Sequence, residues 1–346
     1  MPPITVCERI SMRASDLEDA AGRILQQGPD PVVRHLLLRD VLRRRPNCAE
    51  LVLAREALDG ALAVRRLRAE QKPDGGWGGF HSRSELPRRM IASTEVGVER
   101  AVALGLDQSH PILRKASRYI IDIMEGHRRF PDRHEKNDRW QTGMRLFLAS
   151  TLSLIHPSNP VLDADRRLWC EIAARTFQSG KYDEQDEIEA HAELTGASVR
   201  HSYLVLNNRY SLNILGSVRE LLPSKIEKSL LDWLWKRDDG IGYLGVSLGE
   251  VPPHARAGPF DRWFSSLELL ASCFSLWRHN SNQIMRWLWN QRDENGFWDF
   301  GPSPSHICHF PLSGNWKRRR NRVFDWTTRA LIILRMFLDP PEHRPA

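Results

Sequence analysis

The sequence predicts an all-α chain folded as an α6/α6 toroid, a double ring of about six helix pairs. Three observations predict it. One phrase, a Trp-rich helix running through a polar glycine turn into more aromatics, keeps returning: WLWNQRDENGFWDF at Trp287–Phe300, WLWKRDDGIGY at Trp233–Tyr243 and QKPDGGWGGF at Gln71–Phe80. With the fainter copies GHRRFPD and SGKYDE, the marker glycines Gly75, Gly126, Gly180, Gly240 and Gly296 stand 51, 54, 60 and 56 residues apart. Helical segments of two alternating kinds fill the intervals, one kind entering the glycine turn and the other leaving it. No alternating strand pattern runs beyond about four residues.

The elements follow in order. Ser15–Gln27 reads as a helix with Ser15 as cap, and Gly28-Pro29-Asp30 stops it. Pro31–Arg45 restarts with Pro at the first helical position and ends at Pro46. Cys48–Glu70 reads as one long helix of strong helix formers. Ile91–Leu104 pairs with Pro111–Glu125, and Asp138–Ile155 with Leu162–Ser179. The acidic stretch YDEQDEIEAHAELTG is expected to add a short extra helix. His201–Leu222 and Ser224–Arg237 follow, then Asp261–Arg278, Ser281–Arg292 and Val323–Leu338. The first helix is of the kind that enters a turn and the last of the kind that leaves one, so the two ends are placed to pair and close a ring. This predicts one domain over residues 15–338, with tails at 1–14 and 339–346.

Composition bounds the function. With 41% hydrophobic and 27% charged residues over 346 positions, the chain is of soluble globular type. No apolar run reaches the roughly 18–20 residues of a membrane span. Five scattered cysteines with no C-x2-C spacing suit a reducing cytoplasm. The net charge of +7 comes from 42 Arg against 8 Lys, in short runs spread through every repeat. Such a spread fits a codon bias toward Arg as well as an anionic partner, and nothing concentrates it as a nucleic-acid reader requires. No nucleic-acid partner is expected.

Gln71, Gly75 and Trp77 form Q-x3-G-x-W, which resembles the QW motif of the terpenoid cyclases of squalene–hopene and oxidosqualene type. DGGWGGF also resembles the glycine-rich turns of protein prenyltransferase β subunits. The copy at Gln291–Trp298 is longer by one residue, and Tyr243 replaces the last Trp of the copy before it. The resemblance implies that Gln and Trp tie neighbouring outer helices together, and that a ligand occupies a central cavity. It covers the turns, while the period covers residues 15–338. Its chemical motifs are absent: there is no D-x-D-D, no D-D-x-x-D and no D-x-C, and Asp238-Asp239 is followed by a turn. Neither cofactor nor metal is expected, since His306-Ile307-Cys308-His309 is too cramped to close easily on one ion.

In such a ring the inner helices present their N-termini at one mouth, where partial positive charge and free N–H groups favour an anion. Three of them open on similar words: Asp138-Arg139-Trp140, Asp261-Arg262-Trp263 and Asp325-Trp326. Each Asp fits an N-cap. Asp261 and Glu268 lie two helical turns apart on one face, and with Asp325 they are the candidate catalytic carboxyls. Arg139, Arg262 and Arg329, with Trp140, Trp263 and Trp326, are the candidate binding residues, and Arg145 joins them as an inward cation. Tyr203, Tyr210, Phe147, Phe274 and Trp277 are further aromatics assigned to inner helices, for cation stabilisation or for core. The loops at 300–322 and 244–259 lie over the same mouth. The leading expectation is an enzyme acting on an isoprenoid or another small apolar or anionic ligand. A carbohydrate hydrolase or lyase, and a non-catalytic scaffold, stay open as alternatives.

Overall fold

The computed structural model describes residues 12–82, 91–199, 202–218, 221–242, 245–252, 258–302 and 311–339. The described residues hold fourteen α-helices and no β-strand, only isolated bridges. The tails, the His306–His309 cluster and Tyr243 fall partly or wholly outside the described residues.

Helix α1 (Ala14–Gln26) starts one residue before Ser15, and the Asp16 carboxylate accepts the N–H of Arg13 at 2.8 Å. Helix α2 (Pro31–Leu36) is capped by Asp30, which accepts from Val32 N–H at 3.0 Å. It continues as a π-helical turn, Leu37–Val41, and ends before Arg43, whose φ is 49°. The long helix expected at 48–70 is two: α3 (Ala49–Leu58) and α4 (Leu62–Glu70). Gly60 is a poor helix former, and Ala61 is extended at φ −63°, ψ 136°, so the chain turns there.

Helices α5 (Thr94–Ala103), α6 (Pro111–Met124), α7 (Trp140–Ile155) and α8 (Asp163–Thr176) match the pairs expected within a few residues. The acidic stretch forms α9 (Glu184–Thr195), capped by Asp183 and ended by left-handed Gly196. The helix expected from 201 to 222 shrinks to α10 (Arg209–Leu215), which starts only where Asn208 caps it by accepting from Tyr210 N–H at 3.1 Å. Then come α11 (Ser224–Lys236), α12 (Gly258–Cys273), α13 (Arg278–Asn290) and α14 (Arg319–Leu338).

All five marker glycines have positive φ: 104° at Gly75, 80° at Gly126, 84° at Gly180, 55° at Gly240 and 76° at Gly296. The turns at 71–80 and 291–300 are built alike. The Trp77 indole N–H donates to Leu67 O at 2.9 Å and its backbone N–H to Thr94 Oγ1 at 3.0 Å. Trp298 donates to Leu288 O at 2.7 Å and to Thr327 Oγ1 at 2.9 Å. Trp77 therefore joins the end of α4 to the start of α5, and Trp298 joins the end of α13 to the middle of α14. Gln71 donates to Gly75 O and to Ile112 O, both at 2.9 Å, which ties the first turn to α6. Gly75 is required twice over: besides its φ, a Cβ there would come 2.4 Å from Lys115 O.

One series of contacts runs α5–α7–α10–α12–α14 and on from α14 to α1, α2 and the π turn. The Arg39 guanidinium then donates to Gly105 O, just past the end of α5, at 2.8 Å. Of the other helices, α4 and α6 pack on α5, α8 on α10, α13 on α14, and α11 on α13. The core is heavily aromatic, with Trp77, Trp169, Trp263, Trp277, Trp298 and Trp326 buried. No described helix is long and apolar enough to cross a membrane.

Candidate functional site

The three Asp residues expected as caps serve otherwise, because two of the helices begin earlier than the sequence suggests. Helix α12 starts at Gly258, so Asp261 lies inside its first turn. Helix α14 starts at Arg319, so Asp325 lies nearly two turns in. Asp138 precedes α7, is exposed, and accepts from Ser198 N–H at 2.9 Å across the chain.

Asp261, Glu268 and Arg329 do come together. The Arg329 guanidinium donates to Asp261 Oδ1 at 2.8 Å and to both Glu268 oxygens, at 2.8 and 2.6 Å. Arg329 and Asp261 are buried, while the Glu268 side chain keeps 22% of its surface. Its carboxylate partners hold Arg329 well above the usual arginine range against the cost of burial. Rings of Phe264 and Trp326 flank the cation at 4.9 and 5.2 Å. One arginine thus meets two carboxylates, which leaves no excess positive charge to draw an anion.

Trp263 and Trp326 belong to a packed aromatic group with Phe260, Phe264, Trp287 and Phe300, in which Phe260 and Phe300 centroids lie 4.5 Å apart. The Trp326 indole donates to Gly301 O at 2.8 Å. Trp140 is buried edge-on to Phe130 and His134. Arg262 is exposed on α12, and Arg139 is half-buried just before α7. Arg145 is held by Asp165 and by the carbonyls of Met124 and Val161. Phe274 and Trp277 are core, and Tyr203 precedes α10 rather than standing on it.

Asp325 anchors a loop. Its Oδ2 accepts from Leu312 and Ser313 N–H at 2.9 and 3.0 Å, and its Oδ1 meets Ser313 Oγ at 2.5 Å. Asp30 secures the next residue by accepting from Gly314 N–H at 3.0 Å. Burial pushes Asp325 from 3.8 up to about 7, although the bonds from Ser313 and Leu312 pull it down. Below the unfolded value both states hold the proton and stability is full. As pH rises toward 7 the unfolded chain deprotonates first, and about 4 kcal/mol is lost. Asp325→Asn preserves the shape and can accept the two N–H groups while donating to Ser313. It should therefore be more stable than the wild type near neutral pH and lose that advantage near pH 4. Urea unfolding at the two pH values measures this, and an advantage of equal size at both would contradict it.

A second cluster gathers residues that no local sequence pattern joins. It joins His81, which follows the first glycine turn, Glu95 in the first turn of α5, and Arg209 and Tyr210 at the start of α10. Glu95 Oε2 lies 3.0 Å from His81 Nδ1 and accepts from Tyr210 Oη at 3.0 Å, and Oη lies 3.1 Å from the same Nδ1. Arg209 pairs with Glu99 Oε1 at 2.5 Å and stays 3.9 Å from Glu95. His81 stacks flat on Phe147 at 4.0 Å, and Phe147 also packs on Tyr203 and Tyr210. Asp132 fixes the turn by accepting from the N–H groups of Phe80, His81 and Ser82 at 2.6, 2.8 and 2.7 Å.

The groups differ in exposure. The His81 side chain keeps 35% of its surface and Glu95 only 4%. Burial raises Glu95 above the usual carboxyl range, against the hydrogen bond and charge of His81. Burial works against the imidazolium, but Glu95 outweighs it and holds His81 above its ordinary value. Burial also lifts the Tyr210 phenol well above 10. A proton shared between a partly exposed base and a buried acid is the equipment of general acid–base chemistry. The sequence offered one signal, a His immediately after the QW-like turn, but nothing that linked it to residues 95 and 210.

Two clefts lie elsewhere. One of about 870 Å³ runs between α1 and the Trp289–Gly296 turn, and one of about 500 Å³ lies along α6 near His156. Neither is lined by His81, Glu95, Asp261 or Arg329. Among the described residues no group of three or more His, Cys, Asp or Glu is placed to hold a metal ion. No family model, curated protein or solved structure matches the chain.

Proposed function

We propose that the chain closes as an α6/α6 toroid of the kind found in terpenoid cyclases and prenyltransferases, and that it acts on a largely apolar ligand, isoprenoid in kind. Support for the ring comes from the series α5–α7–α10–α12–α14 and its return through α2 and the π turn to the end of α5. The two Trp turns share the indole and backbone bonds of Trp77 and Trp298, which supports a repeated unit.

The observation that carries the functional reading is His81, Glu95 and Tyr210 set among Phe147 and Tyr203 rather than a surplus of cations. Acid–base groups against aromatic faces suit a ligand that is apolar and passes through a cationic state. Arg329 is neutralised by Asp261 and Glu268, and Arg209 is engaged by Glu99. At these two arginines a diphosphate therefore gains no free charge-assisted bond of about 1.5–3 kcal/mol. In calorimetric titration a prenyl alcohol and its diphosphate should bind within about threefold of each other, and Phe147→Ala should weaken both. Diphosphate binding tighter by more than about tenfold would restore an anion site and overturn this reading.

A sugar reading rests on Glu95 and Glu99, two carboxyls one helical turn apart on α5. Oligosaccharides in the same titration separate the two. Binding of an oligosaccharide with none of the prenyl alcohol would favour sugar chemistry.

A further inference from the structure

The cleft of about 500 Å³ has one side made by Arg114, Ser117, Arg118 and Ile121, spaced three and four residues apart on one face of α6. Ser109 closes it from the α5–α6 connection and His156 from the end of α7. No carboxylate lines it, whereas the larger cleft sets Asp16, Asp19, Asp293 and Glu294 beside its three arginines. Arg39, Arg145, Arg175 and Arg329 each meet a carboxylate. Arg114 and Arg118 meet none: among the described residues neither makes a hydrogen bond or an ion pair. Like charges one helical turn apart repel, and no protein group offsets them here. The nearest acid in sequence to Ser109, Asp107, does not line the cleft; it accepts from Ser109 N–H and Oγ at 2.9 and 2.5 Å and is balanced by Arg55 and Arg39. His156 adds a donor. Asn159 Oδ1 accepts from Val161 N–H at 3.0 Å, which turns its amide nitrogen to His156 Nδ1 at 3.1 Å. Nδ1 is then the acceptor, so the neutral ring carries its proton on Nε2, which has no protein partner.

We propose that this cleft binds a phosphate monoester group between Arg114 and Arg118, with His156 Nε2–H and Ser117 Oγ as further donors. A monoester brings up to two negative charges and three free oxygens, which matches two guanidinium forks and two single donors. A carboxylate brings one charge and two oxygens and leaves part of the set unused. The cleft is far larger than one phosphate, so an organic body has room beside it, against Ile121. Binding makes and breaks no covalent bond. The site shares no residue with the His81–Glu95–Tyr210 cluster or with Asp261, Glu268 and Arg329, and it does not rest on the function proposed above.

Phenyl phosphate is the probe. The folded full-length protein is treated with phenylglyoxal, which modifies accessible guanidinium groups, and the modified sites are mapped by peptide mass spectrometry. With phenyl phosphate present, Arg114 and Arg118 should react at least about fivefold more slowly, because an engaged guanidinium is withdrawn from the reagent. Arg65 and Arg66, exposed on α4, should keep their rates. In calorimetric titration, Arg114→Gln combined with Arg118→Gln should weaken phenyl phosphate at least about tenfold. Arg65→Gln combined with Arg66→Gln removes the same charge and should leave binding unchanged. Thermal unfolding checks that both double variants fold. Vesicles of phosphatidylcholine with and without phosphatidic acid distinguish the source of the group: protection by phosphatidic acid alone assigns the site to a lipid headgroup, and protection by phenyl phosphate assigns it to a free ester. The comparison of a prenyl alcohol with its diphosphate is made in the Arg114→Gln/Arg118→Gln background, so that an anion bound here is not counted at the other site. Absence of protection by either form, or equal loss of binding in the two double variants, would overturn the proposal.

Discussion

Trp77→Ala and Trp298→Ala are each expected to destabilise the protein by about 3–5 kcal/mol, the range for deleting a large buried aromatic. Both indoles are fully buried. The lost hydrogen bonds contribute little, because Leu67 O also accepts from Gln71 N–H and Leu288 O from Gln291 N–H, each at 3.1 Å, so neither carbonyl is orphaned. The loss comes from the cavity, and its size reflects where the ring sits. Gly97 on α5 has no side chain, and a Cβ there would lie 2.5 Å from the Trp77 ring, so the indole packs directly against the next helix. That helix cannot collapse into the space without giving up its own contacts with α7. Trp77→Phe separates volume from bonding and should cost less than half as much. Denaturant unfolding measures all three variants, and losses under about 1 kcal/mol in both alanine variants would show that these turns do not lock repeats together.

The glycine turns were legible because a left-handed backbone tolerates few residues, so Gly75, Gly126, Gly180, Gly240 and Gly296 stand out in any sequence that repeats the turn. The helices between them were legible through their apolar spacing. Three misreadings have distinct physical causes. Residues 48–70 look like one helix because only Gly60 breaks the run, and one glycine costs too little to predict a turn on its own. Residues 202–208 carry helix-compatible side chains, yet α10 waits for the Asn208 cap, and the segment before it is held by the Glu187 carboxylate on Leu206 N–H at 2.6 Å. Helix α14 begins inside the basic run at Arg319, which reads as loop, so the sequence puts Asp325 at a cap although it lies inside the helix.

The candidate site was legible only in its parts. Asp261, Glu268 and Arg329 were singled out for charge and spacing, but 61 and 68 residues separate the arginine from its two partners, and their mutual neutralisation is a tertiary fact. His81, Glu95 and Tyr210 lie 14, 115 and 129 residues apart in pairs. No local pattern joins them. What unites them is the contact of α5 with α7 and of α7 with α10, which a single sequence does not encode in any short window.

Arg329 should prove the most costly charged residue to remove. Arg329→Met keeps much of the apolar stem but leaves Asp261 buried without its cation and Glu268 without both of its bonds, and an uncompensated buried charge costs about 3–5 kcal/mol. The state of Asp261 makes the effect sharper, since its Oδ2 already lacks a hydrogen-bond partner and its only engaged oxygen faces Arg329. Neutralising the partners should restore most of the loss: in Arg329→Met combined with Asp261→Asn and Glu268→Gln, no net charge remains in the cluster, and amides bear burial far better than carboxylates. The triple variant is therefore expected to unfold within about 1–2 kcal/mol of the wild type, a coupling of several kcal/mol between sites that touch. It also distinguishes a structural ion cluster from a ligand site. A structural cluster predicts that the triple variant, once refolded, binds a prenyl alcohol as the wild type does. Loss of binding in a variant of near-normal stability would return Asp261, Glu268 and Arg329 to the ligand, and a triple variant as unstable as Arg329→Met alone would show that charge is not what the cluster balances.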